Sequence, residues 1–173
     1  MRHKSMKQLN FLQPDASEQV ITSGIWHLYV DGAARNNPGP AGAGLCLFKD
    51  GKAIVKKGFF LGSKTNNQAE YYALLLGLFF AREHVTQKDQ LEIFADSQLL
   101  VRQINGEYKV KDAELKLLQH AAFKLLVSFN YTIQHVMRED NAHADDMANV
   151  GIDKKVKAPD SFITLIQSYG IKL

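Results

Sequence analysis

Residues 71–81, YYALLLGLFFA, are the longest apolar run in the chain and the strongest constraint on its fold. The run is too short to cross a bilayer, which needs about 20 residues. A helix that is apolar on nearly every side must sit at the centre of a domain, covered on more than one face. Thr65, Asn66 and Asn67 precede it, and each is a good N-cap, so a helix starting there and running to about 84 is expected. A chain of 173 residues is long enough to enclose such a helix within one domain without a disulfide or structural metal. Only one cysteine is present, Cys46, inside the apolar stretch Leu45-Cys46-Leu47-Phe48, where an inert core thiol is expected. With 21 Lys plus Arg against 18 Asp plus Glu, the net charge of +3 does not itself announce a nucleic-acid binder. The basic start, MRHKSMKQLN, is followed by no apolar signal core, so a cytoplasmic protein that does not engage a membrane is expected, as a monomer.

The rest of the chain supplies the layers around that helix. Residues 1–24 are polar and aperiodic and read as an N-terminal extension. Strands are expected near 26–32 and 41–49, with Asp50-Gly51 turning the chain into a third strand over 52–61. Residues 62–67 read as a polar loop. QLEIFA, 90–95, is a further strand, followed by helices over 97–105 and about 112–127. A strand over 129–137 and a helix from Asn141 to about 150 follow, and 151–173 forms a C-terminal tail, part helical around Phe162-Ile163-Leu165-Ile166. Three strands, a helix, a strand, helices, a strand and a helix predict an α/β fold with a mixed sheet and helices on both faces.

Acids sit at places a solvated face does not easily explain. Asp31 interrupts a strand-like stretch, HLYVDGAARNNPGP, where an unpartnered carboxylate would be expensive to bury. Glu70 opens the apolar helix, where it could equally complement the helix dipole. Asp96 ends the strand LEIFA, where it could be a cap. Asp145 and Asp146 could be a surface pair, but Ala144, Met147 and Ala148 mark the apolar face, and Asp145 lies on its flank while Asp146 points away. Gathered in one place, such carboxylates would repel and protonate unless a cation were present. Hard oxygen donors suit Mg²⁺ or Mn²⁺, and the chain has neither a cysteine cluster nor an HExxH pair for zinc. A pair of such ions can serve phosphodiester hydrolysis.

The stretches YVDGAARNNPGPAGAG, TNNQAEYYALLLGL, ADSQLLVRQING and REDNAHADDMAN resemble, in order and spacing, the motifs of type 1 ribonuclease H, over residues 26–150. The resemblance implies the ribonuclease H-like fold, a five-stranded mixed sheet whose first three strands are antiparallel, with the domain at 25–150. It implies cleavage of the RNA strand of RNA/DNA hybrids by two Mg²⁺ ions, for which Mn²⁺ can substitute, leaving 5′-phosphate and 3′-hydroxyl ends. Asp31, Glu70, Asp96 and Asp145 match the family's metal-binding carboxylates. Asn37 and Thr65 resemble residues that hold a DNA phosphate, and Asn66, Asn67 and Gln98 residues that read the minor groove and ribose 2′-hydroxyls. Asn37 also reads as a turn residue, and 65–67 as a helix cap. Many members carry a basic loop after the DSQ motif; here that segment is only NGEYKVKDAEL, with Lys109 and Lys111. Double-stranded RNA is therefore a possible second substrate. A non-catalytic nucleic-acid-binding domain is the alternative class, against which the intact carboxylates argue. His135 stands near the place of a loop histidine that assists some members, in a pattern that keeps it on a strand.

Overall fold

A computed structural model describes residues 23–173. Its elements are β1 (Ile25–Ala34), β2 (Gly39–Lys49), β3 (Lys52–Lys64), α1 (Asn66–Ala81), β4 (Gln90–Ala95), α2 (Gln98–Ile104), α3 (Ala113–Leu126), β5 (Asn130–His135), α4 (Ala142–Lys154) and α5 (Asp160–Gln167), with a 3₁₀ turn at Arg138–Asn141. The strands form one sheet in the order β3-β2-β1-β4-β5. β1, β2 and β3 are antiparallel neighbours, while β4 runs parallel to β1 and β5 parallel to β4. This is the five-stranded mixed sheet, its first three strands antiparallel, that the resemblance implied. No helix among the described residues is long and apolar enough to cross a membrane.

The apolar run explains the layering. Leu28 and Val30 of β1 stand opposite Leu47 and Leu45 of β2, and all are fully buried beneath α1. α3 covers another side of α1, and α5 a further one, where Phe162 meets Phe79 edge to face at 5.4 Å. Phe162 and Ile166 are fully buried, so the C-terminal residues are packed into the core. α4 lies across the other face of the sheet, over β2, β3 and part of β1. Cys46 is buried, and its burial pushes the thiol up to about 11, as an inert core residue requires.

Several boundaries differ from expectation: α1 stops at Ala81, short of 84, and β1 and β2 reach further, to Ala34 and Gly39, around their turn. β3 continues through 62–64, where a loop was expected, because the opening end of β2 stays paired with it as far as Gly39 and Lys64. β5 is confined to Asn130–His135, and α4 runs on to Lys154, ending at Lys155 in the left-handed conformation. The N-terminal extension lies outside the described residues as far as residue 22.

Candidate active site

β1 has β2 on one side and β4 on the other, so the chain direction switches beside its C-terminal end. Open α/β sheets place their ligands at such points. Val30 of β1 pairs with Ala95 of β4, so Asp31 and Asp96 are the next residues on adjacent parallel strands. A cap role for Asp96 is not what the structure shows. Ser97 caps α2, its hydroxyl accepting the Leu100 amide at 3.2 Å, which leaves the Asp96 carboxylate free to face Asp31. Glu70 is likewise beyond the first turn of α1. Thr65 caps that helix in a capping box with Gln68, so the start of α1 is stabilised without an acid.

Close backbone approach brings the remaining acids in. A Cβ at Gly32 would lie 2.2 Å from the Ala69 carbonyl carbon and from the Glu70 nitrogen. The bare glycine therefore lets α1 rest on the end of β1, with the Gly32 amide beside the Glu70 carboxylate. Gly44 stands directly opposite Asp31 in the β1–β2 ladder, and a Cβ there would lie 2.0 Å from the Ala144 carbonyl oxygen. α4 thus sits against the sheet beside Asp31, with Asp145 next along it. Asp31, Glu70 and Asp96 each offer an oxygen, all within 4.8 Å of one another. Asp145 is within hydrogen-bonding reach of Asp31 and lines the same cleft of about 310 Å³, as do Asn66 and Arg138. Asp146 is exposed.

The electrostatics follow from this crowding. Asp31 is 4% exposed, and burial, then the charge of Asp96 and the proximity of Asp145, push its carboxyl up to about 8. Burial and the charges of Asp31 and Asp96 drive Glu70 well above the carboxylate range, against the pull of the Gly32 amide. The Oε2 of Glu70 is buried with no hydrogen-bond partner. A cluster of carboxylate oxygens, one of them without a hydrogen-bond partner, is the donor set of a hard divalent cation. The residues present fit such an ion.

Two further residues complete the cleft. Asn141, 1% exposed, donates through Nδ2 to the Val30 carbonyl at 3.0 Å and to Asp96 Oδ1 at 3.1 Å. It ties the start of α4 to both acid-bearing strands. Arg138 reaches Asp145 Oδ1 at 3.2 Å. Sequence reasoning assigned a role to neither. The available signal was an Arg and an Asn spaced seven and four residues before Asp145, just after a strand end. His135 ends β5 in an exposed position, outside the residues that line the cleft.

The expected substrate contacts fall into one group and an outlier. Asn37 Oδ1 accepts the Asn66 amide at 3.0 Å, drawing the β1–β2 turn onto the start of α1 beside Thr65. Asn66 and Asn67 are exposed in the first turn of α1. Gln98 is exposed at the start of α2, two residues past Asp96.

Comparison with known proteins agrees with this picture. A family model described as reverse transcriptase-like matches residues 29–151. Ribonuclease HI of Halobacterium salinarum is 39% identical over 144 residues, covering 82% of this chain and 68% of that protein. The bifunctional protein Rv2228c of Mycobacterium tuberculosis is 36% identical over 128 residues, covering 71% of this chain but only 34% of that protein. The crystal structure of the Halobacterium RNase H1 superposes with a TM-score of 0.72, covering 76% of this chain and 99% of that one. LC11-RNase H1, solved in complex with an RNA/DNA hybrid, is 36% identical with a TM-score of 0.68, covering 75% of this chain and 97% of that one. With its sheet order, its acidic cleft and these relatives, the chain belongs to the type 1 ribonuclease H family and is a hydrolase of that family.

Proposed function

We propose that the chain is an endonuclease that hydrolyses the RNA strand of RNA/DNA hybrids, leaving 5′-phosphate and 3′-hydroxyl ends. The observation that carries this reading is the convergence of Asp31, Glu70, Asp96 and Asp145 on one open cleft, with a Glu70 oxygen left partnerless. These residues would hold two Mg²⁺ ions, with Mn²⁺ able to substitute. Bound there, the ions would supply water activation and charge stabilisation at the leaving oxygen.

The chain's own residues then have distinct tasks. The carboxylates stay gathered in the cleft because Gly32 and Gly44 let two helices close on the sheet beside them. Asn141 fixes the Asp96 carboxylate against β1. Arg138 brings a positive charge to the rim beside Asp145, where it can meet the phosphate of the cleaved strand. Asn37, tied to the start of α1 by the Asn66 amide, would with Thr65 hold a phosphate of the DNA strand. Asn66, Asn67 and Gln98 offer neutral donors and acceptors to a minor groove, where a 2′-hydroxyl distinguishes RNA from DNA. The nuclease unit of residues 25–150 carries 151–173 packed onto its core through Phe162 and Ile166, and works as a monomer. The single buried thiol suits a reducing, cytoplasmic setting.

The test is cleavage of matched RNA/DNA, RNA/RNA and DNA/DNA duplexes with Mg²⁺ or Mn²⁺. Cutting confined to the RNA strand of the hybrid is expected. Equal cutting of RNA/RNA would replace the hybrid assignment with a broader nuclease. Binding without cutting would make the domain a non-catalytic binder.

A further inference from the structure

α1 and α2 both begin near the acidic cleft. α1 opens with Asn66 and Asn67 and α2 with Gln98, all three exposed. The helices then run back into the core, α1 packed chiefly on β1, β2 and α3. Tyr71 lies five residues beyond Asn66, and Gln103 five beyond Gln98. At 1.5 Å per residue, each stands about 7–8 Å behind the start of its helix. There the Tyr71 hydroxyl donates to Gln103 Oε1 at 2.9 Å.

This tie is polar where its neighbours are apolar. Tyr71 is 1% and Gln103 5% exposed, and the other buried residues of α2 are Leu100, Val101 and Ile104. Burial pushes the Tyr71 phenol up, so it keeps its proton and donates. Two apolar side chains of the same shape would hold the helices together about as well, because a buried hydrogen bond adds little once desolvation is counted. What an apolar pair lacks is direction. The hydrogen bond sets both the distance between the helices and the rotation of α2 about its own axis. Gln119 of α3 donates through Nε2 to the Gln103 carbonyl at 3.1 Å, and Asn105 Nδ2 donates to the Ile133 carbonyl of β5 at 3.3 Å. Of these three ties on α2, only the one from Tyr71 reaches α1.

We propose that Tyr71 and Gln103 are a positioning pair that sets the gap between the starts of α1 and α2, and through it the preference for an RNA/DNA hybrid over an RNA/RNA duplex. The proposal rests on the hybrid reading above, in which Asn66, Asn67 and Gln98 enter the minor groove. Those three side chains stand on two helices, so the groove they fit depends on the helix separation as well as on the side chains. The minor groove is about 6 Å wide in B-form DNA and wide and shallow in an RNA duplex, and a hybrid lies between. With the tie in place, the two helix starts match one groove width. Without it, α2 is held to α1 only by apolar contact, which resists turning and sliding less, and Gln98 moves with it.

The experiment compares Tyr71→Phe, Gln103→Met and the double variant with wild type. Affinity for matched RNA/DNA and RNA/RNA duplexes is read by fluorescence anisotropy without divalent metal, and kcat on the hybrid with Mg²⁺. Each single variant strands a buried polar group and should lower the thermal midpoint, whereas the double variant removes both groups and should regain most of it. The hybrid Kd should nevertheless rise about three- to tenfold in all three, the loss of about one hydrogen bond's worth of alignment. The RNA/RNA Kd and the kcat on the hybrid should stay within about twofold. Recovery of hybrid affinity together with the midpoint in the double variant would reduce the pair to a structural contact and overturn the proposal. Equal weakening on both duplexes would overturn it too, as would a loss confined to kcat, which would put the pair behind Glu70 and Asp96 instead. A wild-type chain that neither binds nor cuts the hybrid would overturn the functional reading beneath it.

Discussion

Asp31 and Asp89 are almost equally hidden, at 4% and 7% exposure, yet their surroundings push them in opposite directions. Asp89 accepts the Gly24 amide, the Thr86 amide and the Thr86 hydroxyl, each at 2.8 Å. Burial raises its carboxyl, but these donors and the nearby Lys49 more than offset that and hold it below the ordinary range. Asp31 has Asp96, Asp145 and Glu70 around it, and it is raised to about 8. Burial alone therefore does not distinguish a structural acid from a functional one. What distinguishes them is whether the fold supplies the donors, as it does for Asp89, or leaves them to a ligand.

The largest effect should come from removing the charge of Asp31. Asp31→Asn is expected to reduce hybrid cleavage by about a thousandfold or more while the thermal midpoint holds or rises, since a repulsion is relieved. Normal turnover would break the contrast at its functional end. Asp145→Asn should lose about ten- to a hundredfold in kcat, against less than about twofold for the exposed Asp146→Asn. Equal losses would show that the side of α4 facing the sheet has been misread.

Asp89 gives the opposite pattern. Asp89→Asn should cost about 1–3 kcal/mol of stability and lower the thermal midpoint by about 2–12 °C, with cleavage intact at permissive temperature. Because the folded carboxyl of Asp89 is depressed, its contribution is present above the ordinary carboxylate range and is lost as pH falls through the folded value. The smallest expected effect is a divergence with pH. Asp31 holds a proton in the folded state that it gives up when unfolded, so the metal-free protein should lose stability as pH rises from about 4 towards 8. Millimolar Mg²⁺ should raise the midpoint by a larger margin at pH 8 than at pH 5, read by scanning calorimetry. A metal-induced shift independent of pH would detach the ion from the acidic cluster.

Much of this was legible in the sequence, for identifiable reasons. Residues 71–81 fixed a central helix because no other placement hides eleven apolar residues at once. The Asp50-Gly51 turn and the later alternation of strands with helices implied a mixed sheet, and its five strands came with the resemblance. The acids stood out because each broke an apolar pattern. Other features depend on what folding brings together. Asn141 gives no local signal of burial, since its partners, Val30 and Asp96, are 111 and 45 residues away. Arg138 reads as an ordinary charged turn residue until Asp145 is seen beside it. Asp89 sits in a polar turn, TQKDQ, and only the Gly24 amide, 65 residues distant, reveals its role.

Gly32 and Gly44 have one more consequence. The cleft is shaped by atoms that are not there. Each glycine is a gap through which a helix touches the sheet, so the positions of Glu70 and Asp145 are set by hydrogens where other residues carry carbon. Enzymes are usually probed by deleting side chains; here the sensitive operation is adding one. A single methyl at either position would meet backbone at 2.0–2.2 Å and push a helix, with its acid, away from the sheet without altering the charge count or the hydrogen-bonding groups of the chain. Inactivating changes in this fold will therefore include conservative-looking gains of mass along β1 and β2, at residues that carry no chemistry of their own.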